Sequence, residues 1–328
     1  MSMREVIQAS AILRGGGLVA FPTETVYGLG ADATNPDAVA KIFAAKGRPG
    51  TNPLICHVAD EAMARRYAAT WPDVATKLAQ KFWPGPLTLV LPRTDDIAGE
   101  ATAGLATVGL RAPDHPLTLQ LLRVFDRPLA GPSANRSNHV SPTTADHVRE
   151  DLNGAVDMIL DGGACTVGIE STVLDLTGDR PTILRPGSVA REQIEAEIGP
   201  VAVDESHHDP ALPATSPGRQ PKHYAPRAAA YRFDRQRIAA VLEFIVHQGG
   251  DPPAMIFIGN APAQMHIIPL NGIAEIRSDP ADCARTLYAV LRRLDRANVK
   301  TILIELPPDE PQWLAVRDRI LRATQDLP

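Results

Sequence analysis

Apolar residues along this chain fall into two patterns: short unbroken runs, and stretches in which they recur with helical spacing. The runs predict buried strands. Leu18 to Phe21 is the first, and it stops at Pro22, which has no N–H to give a ladder. Leu54–Val58, Leu87–Leu91, Val108–Arg111, Pro128–Ala130, Met158–Leu160, Thr172–Leu176 and Thr182–Leu184 read the same way. Between them the spacing predicts helices over 3–14, ended by the glycines at 15–17, and over 72–82. Two more open on proline at the first helical position, after Asn35 and after His115, and Val39, Ile42 and Phe43 form the apolar face of the first. Ser141-Pro142 predicts a third such start, with the serine as cap. Gly28 and Gly30 predict a turn in which backbone passes close to a ligand. Strands of both kinds of patterning with few hairpin signals predict an α/β fold over 1–200, a twisted mixed sheet with flanking helices and an open cleft.

Residues 200–227 carry six prolines and little apolar clustering, so 201–227 reads as a linker. Beyond it, helical spacing near 235–247 and 281–295 alternates with the strand-like runs Ala254–Ile258 and Thr301–Ile304. That order predicts a smaller, largely parallel α/β domain over 228–328. It lacks a glycine fingerprint after its strands, so it is not read as a nucleotide site.

Composition narrows the class. Hydrophobic residues make up 44% and charged residues 22%, which suits a packed globular chain. Net charge is −5, and neither half is basic, which argues against broad phosphate-backbone binding but leaves room for a local cationic cleft. The three cysteines, Cys56, Cys165 and Cys283, show no C-x-x-C pairing; they fit a reducing cytosol and exclude a cysteine-rich zinc site. No secretory h-region opens the chain and no run approaches a membrane span, so a cytoplasmic protein is expected.

Candidate chemistry gathers in 18–58, where two strand ends, one helix end and two cations converge. Lys46 and Arg48 could grip phosphate or carboxylate, or could simply complement a helix dipole at a solvated end. Ser133-Ala134-Asn135 offers a hydroxyl and an amide in a strand-end loop, or an Asx-type turn. His57 sits in an apolar strand, where a core role is more common than catalysis. Arg111, amid apolar neighbours, needs either a structural acid or a substrate carboxylate. Glu170-Ser171-Thr172 enters a strand behind Gly168. There is no P-loop, His-x-x-x-His pair or G-x-S-x-G elbow, so nucleophilic serine chemistry is not supported.

Taken together, Phe21-Pro-Thr-Glu-Thr-Val-Tyr-Gly-Leu29, Lys46-x-Arg48, Asn52-Pro53-Leu54, Trp83-Pro84-Gly85-Pro86-Leu87-Thr88, Arg111-x-Pro113, Pro132-Ser133-Ala134-Asn135, Glu170-Ser171-Thr172 and Arg185-Pro186-Gly187 resemble the YrdC-like threonylcarbamoyl-AMP synthase family. Pro217-Gly218 with His223-Tyr224-Ala225-Pro226 resembles its long form, in which a linker joins a C-terminal Rossmann-like domain. The resemblance implies a reaction: L-threonine, bicarbonate and ATP give L-threonylcarbamoyl-AMP and pyrophosphate. A partner transferase complex would then pass the group to tRNA beside the anticodon, with any tRNA contact of this chain weak. Mg²⁺ would be held mainly by the ATP phosphates, with no dedicated protein cage.

Carried over, the resemblance implies that Lys46, Arg48, Ser133 and Asn135 do the chemistry. Asn52, Thr107, Ser141 and Arg185 would complete the ATP side, and Tyr224 in the linker would close as a lid. Thr25 rather than Thr23, with His57, Arg111, Gly131 and Ser171, would hold threonine, Arg111 taking its carboxylate. Two alternatives remain. An RNA-binding module without ATP turnover is disfavoured by the acidic balance. The carbamoyltransferases of hydrogenase maturation share a YrdC-like domain but need zinc-finger and transferase modules that this length and three cysteines do not allow.

Overall fold

The computed structural model describes residues 3–204, 224–248 and 251–327. The chain divides into two compact units: Met1–Ser137 with Ser141–Gln220, and Asn138–Val140 with Pro221–Pro328. The stretch 205–223, with Pro217, Gly218 and His223 of the expected linker, lies outside the described residues.

The first unit is built on ten strands, β1 (Val19–Phe21), β2 (Gly28–Asp32), β3 (Ile55–His57), β4 (Leu87–Pro92), β5 (Thr107–Arg111), β6 (Leu129–Ala130), β7 (Met158–Ile159), β8 (Thr172–Asp175), β9 (Thr182–Arg185) and β10 (Ala202–Val203). Their order is β10-β9-β8-β4-β5-β3-β6-β2-β1-β7, mixed as the patterning predicts: β3 runs parallel to β5 and antiparallel to β6. Helices α1 (Met3–Arg14), α2 (Pro36–Lys46), α3 (Glu61–Arg65), α4 (Asp73–Phe82), α5 (Pro116–Phe125), α6 (Ala145–Leu152) and α7 (Arg191–Ile198) complete it. Its core runs from Val6 and Leu13 of α1 through the strands to Leu121 and Phe125 of α5, all fully buried.

Helix α2 starts as the sequence predicts. Asn35 accepts from the Ala38 N–H, Pro36 takes the first helical position, and the chain leaves through Gly47 at φ 59°. Two local expectations are corrected. Gly28 and Gly30 do not form a turn; they lie in β2, paired against Phe21 and Val19 of β1. A Cβ on Gly28 would stand 2.5 Å from the Phe21 ring, and one on Gly131 would stand 2.8 Å from it, so these glycines make room for a core phenylalanine. Ser141 does not cap a helix. Its hydroxyl donates to Glu170, and α6 begins later, with Thr144 accepting from the His147 N–H.

The second unit has a five-stranded, all-parallel sheet, in the order β13-β12-β14-β11-β15. These are β11 (Ala229–Phe233), β12 (Ala254–Ile258), β13 (Gly272–Ile276), β14 (Thr301–Glu305) and β15 (Gln325–Asp326), with α8 (Ile238–Gln248), α9 (Pro280–Arg296) and α10 (Leu314–Ala323). Phe233, Val241, Met255, Phe257, Met265 and Leu303 form a core of its own. The three cysteines are buried, Cys56 and Cys165 in the first unit and Cys283 in the second, and burial pushes each thiol up to about 12.

Candidate active site

Four cations of the first unit, Lys46, Arg48, Arg111 and Arg185, are each less than a tenth exposed. Burying that much positive charge is expensive unless each group is fully engaged. Lys46 sits at the end of α2, one residue before the left-handed Gly47. Its ammonium donates to the Ser133 carbonyl at 2.5 Å, to the Asn135 carbonyl, and to Asn135 Oδ1 at 3.4 Å. Burial, and then the neighbouring Arg48, push the Lys46 pKa well below the usual lysine range, with Asp151 opposing. The loop after β6 is itself fixed: Leu29 donates to the Pro132 carbonyl, Ala134 to the Tyr27 carbonyl, and Ser137 to the Lys46 carbonyl. Thus Lys46, Ser133 and Asn135, distant in sequence, form one hydrogen-bonded group. Arg48 reaches the Pro53 carbonyl at 3.3 Å, beside buried Asn52.

A second group gathers around Arg111 at the end of β5. Its Nη2 lies 2.6 Å from Glu24 Oε1 and 2.9 Å from Thr25 Oγ1, and its Nε donates to Gly85 O at 3.2 Å. Glu24 is the structural acid that the buried arginine requires. Among the described residues no hydrogen-bond partner meets Nη1, which leaves that edge of the guanidinium for a ligand. Thr23 turns the preceding loop, its hydroxyl donating to the Val26 carbonyl and lying 2.8 Å from that of Thr25.

His57 is in register with Arg111 across β3 and β5, and its ring meets Phe21 edge-on with centroids 5.1 Å apart. A Cβ on Gly131 would come within 3.0 Å of His57 Nδ1, so a side chain is excluded there. Burial, then the Arg111 charge, push the His57 pKa down to about 3, so the imidazole is neutral at neutral pH.

Ser171, the residue before β8, links β4 and β9. Its hydroxyl lies 2.8 Å from that of Thr88 in β4, and Arg185 of β9 donates to both its carbonyl and its hydroxyl. Ser141 Oγ donates at 2.5 Å to Oε1 of Glu170, the residue that precedes Ser171. Thr107, half-buried at the start of β5, lines a small cavity of about 10 Å³, room for one water, with Pro53, Thr88 and Gly109. Tyr224 is buried in the second unit, its ring stacked 5.9 Å from that of Tyr288 and 5.0 Å from the Arg319 guanidinium.

A family model described as "Telomere recombination", covering the Sua5, YciO and YrdC proteins, matches residues 11–187, and one described as "Threonylcarbamoyl-AMP synthase, C-terminal domain" matches 189–325. The threonylcarbamoyl-AMP synthase of Bacillus subtilis (strain 168) is 43% identical over 322 residues, which is 97% of this chain and 92% of the relative. The chain belongs to the threonylcarbamoyl-AMP synthase family. The Pyrococcus abyssi synthase is 40% identical over 96% of this chain and 93% of its own length. The crystal structure of P. abyssi Sua5 complexed with L-threonine matches with a TM-score of 0.90 at 39% identity, covering 99% of this chain and 95% of that one.

As a threonylcarbamoyl-AMP synthase family member the chain is an enzyme with the two-unit α/β fold that the sequence predicts. Three residues of the candidate site had no role assigned from the sequence: Glu24, Thr88 and Glu170. Each stands beside a predicted one inside a quoted motif, and what identifies it is a tertiary hydrogen bond. Among the described residues, no group of three or more His, Cys, Asp and Glu side chains comes together to hold a metal, and no helix is long and apolar enough to cross a membrane.

Proposed function

We propose that this enzyme joins L-threonine, bicarbonate and ATP into L-threonylcarbamoyl-AMP, releasing pyrophosphate, with the first unit as the catalytic domain. The observation that carries the reading is the Lys46 ammonium bonded to both Ser133 and Asn135, with Arg48 and Asn52 beside it. A carbamate of threonine is short-lived in water, so the site must hold it against the α-phosphorus and exclude solvent. Attack on phosphorus with pyrophosphate leaving asks for positioning and for cations that neutralise developing charge, which buried Lys46 and Arg48 supply. Ser133, Asn135, Asn52, Thr107, Ser141 and Arg185 serve the nucleotide, and Mg²⁺ enters with its phosphates. The open Nη1 edge of Arg111 takes the threonine carboxylate, with Thr25, neutral His57, side-chain-free Gly131 and Ser171 around it. The product passes, in the cytoplasm, to a transferase complex that modifies tRNA beside the anticodon; this chain itself needs no extended RNA face.

The test is conversion of ATP to AMP-containing product, followed by chromatography, with threonine and bicarbonate supplied or withheld. Wild-type protein is expected to need both, and Arg48→Ala to lose turnover by at least about 100-fold while keeping its circular dichroism spectrum. ATP turnover independent of threonine, or normal pyrophosphate release by the variant, removes the assignment.

A further inference from the structure

The three residues that follow the Ser133–Ser137 segment group with the second unit rather than with the first, which holds that segment. Ser133 and Asn135 belong to the first unit and so does Ser141, but Asn138, His139 and Val140 between them belong to the second. Three contacts fix this inserted tripeptide there. The Arg292 guanidinium of α9 donates to the Val140 carbonyl at 2.5 Å, with the arginine only 6% exposed. Ala225 donates its N–H to the Asn138 carbonyl at 3.0 Å. His139 and Ala225 form a short parallel bridge.

The backbone around these contacts is strained in a paired way. Asn138 has φ 67° and Tyr224 has φ 62°, the left-handed region that Asn tolerates and Tyr avoids. A tyrosine keeps such a conformation only where its surroundings over-determine it. Here the ring is stacked on Tyr288 of α9 and faced by the wholly buried Arg319 of α10. The α9 residues Tyr288 and Arg292 therefore hold both sides of one joint: the returning chain at 224–225 and the tripeptide at 138–140.

We propose that Arg292 is a positioning residue for the nucleotide-side loop, acting through Val140 on Ser133–Ser141, so that the second unit sets the geometry of that loop along the chain itself. A buried guanidinium is costly to place and makes a charge-assisted bond to a backbone carbonyl, which sequence variation at 140 cannot remove. The loop is held at 133–137 by Lys46 and Tyr27, at Ser141 by Glu170, and between them, at 138–140, by α9 and Ala225. Freeing the hold of α9 releases the tripeptide 138–140 between Ser137, which donates to the Lys46 carbonyl, and Ser141, which donates to Glu170. The consequence falls on ATP rather than on threonine, because the Arg111 group lies on β5 and the 24–25 loop. This assignment to ATP rests on the function proposed above; the tether itself does not.

Hydrogen–deuterium exchange and steady-state kinetics on the full chain test it, with Arg292→Met, which keeps the apolar stem and loses the donors, and Arg292→Lys, which restores one. In Arg292→Met the amides of 133–141 are expected to exchange about 10- to 100-fold faster, while β3, β4 and β5 stay as in wild type. The KM for ATP rises by a similar order and the KM for threonine holds. Arg292→Lys recovers part of both. Arg285→Ala, on the same helix but in an exposed pair with Asp282, is the unchanged control. Ala225→Pro, which removes the N–H given to Asn138, breaks the joint without touching α9 and stands in if Arg292→Met does not fold. Unaltered exchange at 133–141 in a folded variant overturns the proposal, as does loss of protection confined to the second unit. A wild-type protein without threonine-dependent turnover would instead overturn the functional reading, and the exchange data would still decide the tether.

Discussion

Lys46 shows how one residue's surroundings set its chemistry. Its folded pKa is lowered by burial and by Arg48, so its charge is lost at a lower pH than that of an ordinary lysine. Nucleotide affinity is therefore expected to fall on the alkaline side, through the lowered pKa, and Lys46→Arg to bind with a flatter alkaline limb; titration calorimetry from pH 7 to 9.5 reads both. His57 gives the acid-side counterpart. Its folded pKa is about 3 against about 6.5 unfolded, so between those values the unfolded chain binds more protons. Stability that is full above about pH 6.5 is lost as pH falls towards 3, by up to about 1.4 kcal/mol per pH unit. Urea unfolding of His57→Gln should show a shallower loss than wild type between pH 6.5 and 5; identical slopes would mean the ring is not held neutral. At this scale the sequence was legible wherever a charge stood in an apolar or glycine-rich context, as at Lys46, Arg48 and Arg111. Glu24 escaped because a carboxylate beside two threonines looks like ordinary turn chemistry until Arg111, far along the chain, is brought to it.

Among the elements, those with local start signals were readable. Asn35-Pro36 opens α2 as predicted, and β12 spans the predicted run from Ala254 to Ile258. Ser141-Pro142 carries the same signal but starts no helix, because Glu170 takes the serine hydroxyl and Thr144 caps instead. Partly exposed β13, and α10 with its charged face, carried too weak an apolar period to be read. The glycines of β2 misled for a tertiary reason: the space a side chain would occupy belongs to Phe21. Gly28→Ala is thus expected to cost about 1–3 kcal/mol by overpacking, and Phe21→Ala about 3–5 kcal/mol by leaving a void. Together the two should cost less than their sum, since the smaller ring position makes room for the methyl group. Denaturant midpoints of the three variants measure this.

For the molecule as a whole, a proline-rich stretch between two differently patterned halves was enough to suggest two bodies. The exchange of 138–140 into the second body was not legible, because nothing local distinguishes Asn138-His139-Val140 from the loop around it. Deleting 202–328 removes α9, the chain at 224–225 and the two-residue edge strand β10, so the shortened protein is expected to keep the rest of its sheet but lose most ATP turnover. Full activity in that protein, assayed beside a circular dichroism check, would contradict a contribution from the second unit.

The burial of every cysteine gives the molecule a built-in reporter of its own opening. A thiol held near 12 and shielded from solvent is nearly inert to alkylating reagents, so labelling waits for local or global unfolding. Cys56 and Cys165 report on one body and Cys283 on the other. Pulse labelling along a denaturant gradient, read by mass spectrometry, would time the two melting events separately without a single engineered probe.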